Sequence, residues 1–346
     1  MDAKETSITP FRPRPFPPRD LRMKTILPTL KKTHAALQEH AEAFAQLTHP
    51  NQMLDWLQLF EARASLDSQA VQVPLLTLLQ PGHPPAEKKE HIQAIKRYVQ
   101  ALQFSCRESE KAPLSDAFIC TLHRKIKSES ASRKDLGKYR NRQNWIGPYG
   151  CSIEEGYFYP PKVKQIRPMM KKLWAYCRRK KDDPLIATAL FFAQFLIIHP
   201  FMDGNGRIAR TISALLLYQK GALPTPTLYL SAYFNKHRLR YFQRLFDTTE
   251  ENHFEPWILF FLKGVIQEAR KGTKLFKHCH TIEQKLLQEL GCTPKLQHFL
   301  FKSPVFTTSA FLRAGGSKEE LNTLKRWKWI RKKGRAWQFV LLLNHY

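Results

Sequence analysis

The chain is short of acidic residues, of paired cysteines and of long apolar runs, and each shortage excludes something. Of 346 residues only 29 are Asp or Glu, against 56 Lys or Arg, so the formal net charge is +27. Encounters are therefore biased toward polyanions such as nucleic acid, nucleotides or an acidic membrane surface. The six cysteines, Cys106, Cys120, Cys151, Cys177, Cys279 and Cys292, form no CxxC pair. That excludes the disulfide framework of a small secreted domain and favours a reducing compartment, the cytoplasm. No apolar run reaches the roughly 18 residues a membrane span needs, and the N-terminus lacks the apolar core of a secretory signal. A substrate of a specialised secretion system would carry no readable mark. No GxxxxGK[ST] string occurs, which excludes a P-loop nucleotide site. What is present, 43% hydrophobic and 25% charged residues, is ordinary for a globular chain, and its length suits roughly two or three domains.

Along the chain, Pro10-Phe-Arg-Pro-Arg-Pro-Phe-Pro-Pro18 carries too many prolines for a helix and should lie extended. Arg12, Pro15 and Pro18 match an RxxPxxP ligand, but an arm packed on its own domain is the stronger reading. From residue 30 to about 290 the spacing is mostly helical. Leu30, His34, Leu37, Ala41, Phe44 and Leu47 step by three and four, as do Ile92, Ile95, Val99 and Leu102, then Phe118, Leu122 and Ile126, then Met169, Met170, Leu173, Trp174 and Cys177. Trp145 to Pro161 breaks this pattern. Gly147, Pro148, Gly150 and Gly156 flank Tyr157-Phe158-Tyr159, which predicts a short hairpin. Residues 270–346 hold 16 Lys/Arg and 4 Asp/Glu. Two short helices, about 308–314 and 317–327, are followed there by a basic hairpin turning near Gly334, a winged-helix pattern suited to nucleic acid.

The segment that carries chemistry is Pro184 to Tyr218. Leu185 to Ile198 reads as a buried helix ended by His199 before Pro200, and Ile208 to Tyr218 resumes helical spacing. Between them, Gly204 and Gly206 would let backbone N–H groups at a helix start approach a phosphate, where the helix dipole favours negative charge. Arg207 and Arg210, three apart, share a face and can fork onto phosphate oxygens. Asp203 is placed to hold Mg²⁺ against phosphates. His199 titrates near neutral pH and suits removal of a hydroxyl proton. Gly204-Asn-Gly206-Arg-Ile-Ala209 also fits GxGxxA, but no strand directly precedes it and no acid follows at the required distance, so the dinucleotide reading fails.

The string HPFMDGNGRIAR resembles the active-site motif of the Fic (filamentation induced by cAMP) family, HxFx[DE]GNGRxxR, at every defined position. Lys138-Tyr-Arg140 and Trp145-Ile146-Gly147, with Phe158-Tyr-Pro-Pro161, resemble that family's target-docking flap, with Ile146, Gly147, Tyr157 and Phe158 as its contacts. The resemblance implies an all-α fold: a Fic helical core with a small β-hairpin flap, plus a C-terminal winged-helix domain. It divides the chain into a proline-rich arm (1–27), an N-terminal helical extension (28–110), the catalytic core (111–272) and the winged helix (273–346).

The resemblance also implies transfer of AMP from ATP, with Mg²⁺, to a Ser, Thr or Tyr hydroxyl of a target protein. His199 would be the general base and Asp203 the metal ligand. Gly204, Asn205 and Gly206 would form the anion hole, with Arg207 and Arg210 on the β- and γ-phosphates. Tyr241 or Phe242 could stack on adenine, with core packing the slightly stronger reading. Many relatives carry an inhibitory [ST]xxxE[GN] helix. Here Ser65 aligns with it, but Gln69 and Ala70 stand where Glu and Gly are expected, so self-inhibition should be weakened. Two other functions remain open: a DNA-binding regulator with a vestigial core, and an enzyme of this family using another nucleotide donor. The oligomeric state also stays open, a homodimer included.

Overall fold

The computed structural model describes residues 9–67, 73–79, 88–126, 134–148 and 150–340. Its helices in chain order are α1 (Met23–Ala45), α2 (Pro50–Asp67), α3 (Leu75–Leu79), α4 (Lys89–Ser109), α5 (Asp116–Ile126), α6 (Val163–Cys177), α7 (Pro184–Ile198), α8 (Asn205–Gln219), α9 (Ser231–Lys236), α10 (Arg238–Glu250), α11 (Glu255–Gln288), α12 (Pro294–Lys302), α13 (Thr308–Arg313) and α14 (Lys318–Arg326). Strands β1 (Val305–Phe306), β2 (Ile330–Lys333) and β3 (Ala336–Phe339) form one antiparallel sheet in the order β1-β3-β2. The chain divides into two compact units: Met1–Ala35 with Gln100–Ile266, and Ala36–Val99 with Gln267–Tyr346.

In the first unit α7 is the central element. Every residue from Leu185 to Ile198 is buried, as expected of a helix that is apolar all round. Asp183 caps its start by accepting the N–H groups of Leu185 (2.9 Å) and Ile186 (3.2 Å), with Pro184 in the first turn, a favourable cap and first-turn pairing. Helices α6, α8 and α10 pack against it. Around Phe192 lie Phe234, Trp257 and Phe261, with ring centroids 5.2, 5.3 and 6.2 Å away. Such rings supply much of a core's buried apolar area. Trp257 is fully buried, and its indole N–H finds the Ala189 carbonyl at 2.7 Å.

The proline-rich arm packs on its own unit, as its composition suggested. Phe16 meets Tyr176 edge-on at 5.0 Å, Arg14 donates to the Glu250 carbonyl (2.7 Å), and the Phe11 N–H donates to the Tyr159 carbonyl (2.8 Å). Among the described residues, the flap from Trp145 to Pro161 closes on one bridge, Ile146 with Phe158, without a ladder of strand pairs. Pro148 has no N–H to continue a ladder. The chain instead makes a helical turn over Ile153–Glu155, fixed by a Ser152/Glu155 capping box.

In the second unit one apolar core joins Phe44, Met53, Trp56, Phe276, Leu296, Phe301, Phe306, Phe311, Leu324 and Phe339. The Trp56 indole donates to the Phe301 carbonyl at 2.8 Å. Buried Glu283 on α11 accepts the backbone N–H groups of Thr48 (2.9 Å) and His49 (3.0 Å), just ahead of α2. A carboxylate at a helix start is favoured by the dipole. The helix pair predicted near 308–327 is α13 and α14, joined through Gly315-Gly316.

Candidate active site

The site is the turn between α7 and α8. Its first residue, His199, sits in the left-handed region (φ 47°, ψ 59°) as the C-cap of α7. A β-branched or bulky residue rarely tolerates that region, and any non-glycine residue there costs roughly 1–3 kcal/mol unless its surroundings hold it. They do. Buried Arg140 donates from Nε to the His199 carbonyl (3.0 Å), from Nη1 to the Arg142 carbonyl (3.3 Å) and from Nη2 to the Pro161 carbonyl. Its own backbone N–H donates to the Pro200 carbonyl at 2.8 Å. Burial pulls the Arg140 pKa down to about 10, which still leaves it charged at neutral pH.

The His199 ring faces the other way. Nδ1 lies 3.1 Å from the Leu196 carbonyl, which can only accept, so Nδ1 carries the proton and Nε2 is left as a base. Burial lowers its pKa to about 4; the Leu196 hydrogen bond opposes this, and the Arg140 cation adds to it. The imidazole is therefore neutral at physiological pH.

The turn that follows is stapled from inside. Asn205, fully buried, accepts the Phe201 N–H on Oδ1 (3.0 Å) and donates from Nδ2 to the Phe201 carbonyl (2.8 Å). Asn144 donates to the same carbonyl at 3.0 Å. Gly204 takes φ +84° as the cap of α8, which a side chain would strain. The first N–H groups of α8 are thereby presented together at the positive end of its dipole. A Cβ on Gly206 would come within 3.1 Å of the Arg210 guanidinium, so Arg210 folds back over the helix start. Asp203 accepts the Gly204 N–H on Oδ1, while Oδ2 lies 3.6 Å from Arg207 Nη2. The Asp203 side chain is 61% exposed and that of Arg207 only 11%. A solvent-facing carboxylate beside the Arg207 guanidinium fits Mg²⁺ held jointly by one protein oxygen donor and phosphate oxygens. No group of three or more His, Cys, Asp or Glu able to hold a metal alone occurs among the described residues.

The spacing of the motif thus meets in one turn: His199, Asp203, the glycines and both arginines. Asn205 spends its side chain on the loop. Tyr241 is buried, stacked on Phe234 at 4.8 Å, and close enough for the Arg210 charge to oppose the rise in its pKa, which burial carries to about 12. Phe242 is half-exposed under Arg238, whose guanidinium lies 5.2 Å from the ring centre. In the flap, Tyr157 is 73% exposed and Phe158 meets Phe11 at 5.6 Å. Ser65 is buried near the end of α2, while Gln69 and Ala70 lie outside the described residues.

Two further residues shape the site without belonging to its motif. His123 on α5 stacks flat on Phe201 (4.3 Å, 7°). Its Nδ1 accepts the Gly137 N–H at 2.9 Å, so its Nε2–H donates to the Asp203 carbonyl at 3.1 Å. Its place between Leu122 and Ile126 on a buried stripe was the available signal. Arg140 is the other; its flap-like neighbourhood was legible, its reach to His199 was not.

A helix start, two arginines and a histidine thus meet in one turn between two packed helices. The model of the Fic/DOC family matches residues 113–217, and the chain belongs to that family. It is 33% identical over 122 residues to a Fido domain-containing protein of Dictyostelium discoideum, covering 33% of this chain and 78% of that one. It is 25% identical over 173 residues to the protein adenylyltransferase fic-1 of Caenorhabditis elegans, covering 49% of this chain but only 30% of the relative. A crystal structure of a Fic family protein from Desulfovibrio desulfuricans shares the fold at TM-score 0.59 and 15% identity, over 93% of this chain and 98% of that one. The Fic-1 structure from C. elegans does so at TM-score 0.54 and 16% identity, over 74% and 76%. No helix among the described residues is long and apolar enough to cross a membrane.

Proposed function

We propose that the protein is an adenylyltransferase that moves AMP from ATP to a Ser, Thr or Tyr hydroxyl of a target protein. The observation that carries this reading is the neutral His199, its Nδ1 committed to Leu196 and its Nε2 available, on the same turn as the α8 start. Nε2 would take the proton of the attacking hydroxyl. The N–H groups of Gly206 and Arg207, with the Arg207 and Arg210 side chains, would hold the phosphates in line and stabilise their charge. Transfer of this kind depends on positioning and electrostatics more than on covalent help from the protein. Mg²⁺, held by Asp203, would neutralise part of the phosphate charge. The flap, with Tyr157 outward, suits main-chain docking of an extended target segment. We also propose that Gln69, in place of a glutamate, leaves the enzyme only weakly self-inhibited, because a neutral amide cannot make a charge-assisted pair with an arginine.

The test is incubation with α-labelled ATP and a lysate, followed by mass spectrometry of the adducts. Label should pass to protein with the wild type and fail with His199→Ala. Equal labelling by both would overturn the reading. Unlabelled GTP or UTP displacing the label better than ATP would reassign the donor.

A further inference from the structure

We propose that the C-terminal elements, from α12 to β3, form a winged-helix module that binds duplex DNA, with α14 in the major groove and the β2–β3 hairpin on the adjoining phosphates. This does not rest on the adenylyl-transfer reading, because none of its residues belongs to the His199 turn.

The first observation is the order of elements. Helix α12, strand β1, helices α13 and α14, then the β2–β3 hairpin make a compact group whose three strands pair as β1-β3-β2. Helix α14 is rigidly mounted. Leu321 and Leu324 are buried beneath it. Ser317 and Glu320 close a capping box at its start, with Ser317 N–H donating to Glu320 at 2.6 Å and Glu320 N–H donating to Ser317 Oγ at 3.0 Å. The sheet is tied to α13 by the Trp337 indole donating to Thr308 Oγ1 at 3.0 Å.

The second observation is the charge left outside. Lys318, Asn322, Lys325 and Arg326 are exposed along one side of α14; steps of three, four and seven put them on a common face. The hairpin follows with Arg331, Lys332, Lys333 and Arg335 all exposed, turning at Gly334 with φ +60°. From Leu321 to the last residue there are seven Lys or Arg and no Asp or Glu. The acids nearest this surface, Glu319 and Glu320, lie in the first turn of α14, where the dipole accommodates them and Glu320 is occupied in the cap.

The third observation selects the polyanion. Among the described residues of 294–340, Leu312 is the large hydrophobic side chain that is exposed, at 37%. Trp327 and Trp329 are half-buried and pack on each other at 4.9 Å. Single strands are held by stacking bases on exposed aromatic rings, and anionic membranes by apolar residues entering the interface. Among the described residues of 294–340 no Phe, Tyr or Trp ring is exposed, and Leu312 is the one exposed large apolar side chain. The surface offers a preformed helix of groove-filling size beside a cationic loop, the geometry of duplex readout.

The experiment uses the full chain and a fluorescent duplex of about two helical turns, with anisotropy read from about 50 to 200 mM salt. Binding should weaken as salt rises. Arg331→Ala/Lys333→Ala/Arg335→Ala should flatten the slope of log K against log salt by about 2.7, at roughly 0.9 per phosphate contact, so that the fourfold salt rise costs the variant about forty-fold less affinity than it costs the wild type. Lys325→Ala/Arg326→Ala should flatten it by about 1.8. A melting curve checks that the variants fold; should the triple variant not, Lys333→Gln alone carries the test with a change of about 0.9. Absence of duplex binding at low salt overturns the proposal, as does an unchanged slope in the variants, which would place binding elsewhere on this cationic chain. Tighter binding to a single strand or to anionic phospholipid vesicles than to the duplex also overturns it.

Discussion

Arg140 offers the sharpest perturbation, because one buried cation joins three backbone carbonyls, of His199, Arg142 and Pro161, and its main chain takes a fourth from Pro200. Arg140→Ala leaves three carbonyls without their donor. Each orphaned buried group costs about 1–3 kcal/mol, set against the desolvation relieved when no guanidinium need be buried. A net loss of about 2–5 kcal/mol is expected, or about 5–15 °C in the melting temperature of a unit this size. Arg140→Lys is more informative. It keeps the charge, and its ammonium can reach one or two of the carbonyls, but it cannot reproduce the fork. The fold should largely survive while His199, strained and no longer held, loses its orientation. Misplacing a catalytic group by about 1 Å can cost about 10²-fold, so kcat should fall by that order with KM for ATP little changed. The assay is labelling with α-labelled ATP at varied ATP, beside thermal melts of both variants. If Arg140→Lys labels within about twofold of wild type while Arg140→Ala melts early, Arg140 merely supports the fold and the positioning argument fails.

Four other outcomes follow from the same geometry. Because the folded pKa of His199 is about 4, the base stays unprotonated through neutral pH, and kcat/KM should fall only as pH drops toward that value; an acid limb at about 6.5, the free-histidine value, would contradict this. Buried His40, with Nδ1 at 3.1 Å from the Ala269 carbonyl, also has its pKa lowered to about 4 by burial. The unfolded chain then binds the extra proton between about 6.5 and 4, so stability is full above that window and is lost as pH falls through it, by about 2 kcal/mol from pH 7 to 5; denaturant melts of His40→Gln should show a flatter dependence. Asn205→Ala removes both bonds to Phe201 and should cost about 1–3 kcal/mol and raise KM for ATP, read by melting and steady-state kinetics. Gln69→Glu should lower self-labelling, and equal labelling in both forms would refute weakened inhibition.

The parts of this protein that sequence alone determined are local ones. The apolar run of α7, its stop before Pro200, the glycines of the turn and the i, i+3 arginines specify their geometry within about 25 contiguous residues, so periodicity and turn chemistry suffice to read them. The same holds for α13, α14 and the basic hairpin, where capping and charge pattern act over a few residues. Tertiary structure decided the rest. Arg140 reaches His199 across 59 positions and His123 reaches Asp203 across 80, and no short-range pattern encodes which carbonyl a distant side chain will find. It also decided that Asn205 staples its loop and that Tyr241 joins the aromatic core. It set the depth of burial that keeps His199 neutral, because desolvation depends on everything packed around a group rather than on its neighbours along the chain.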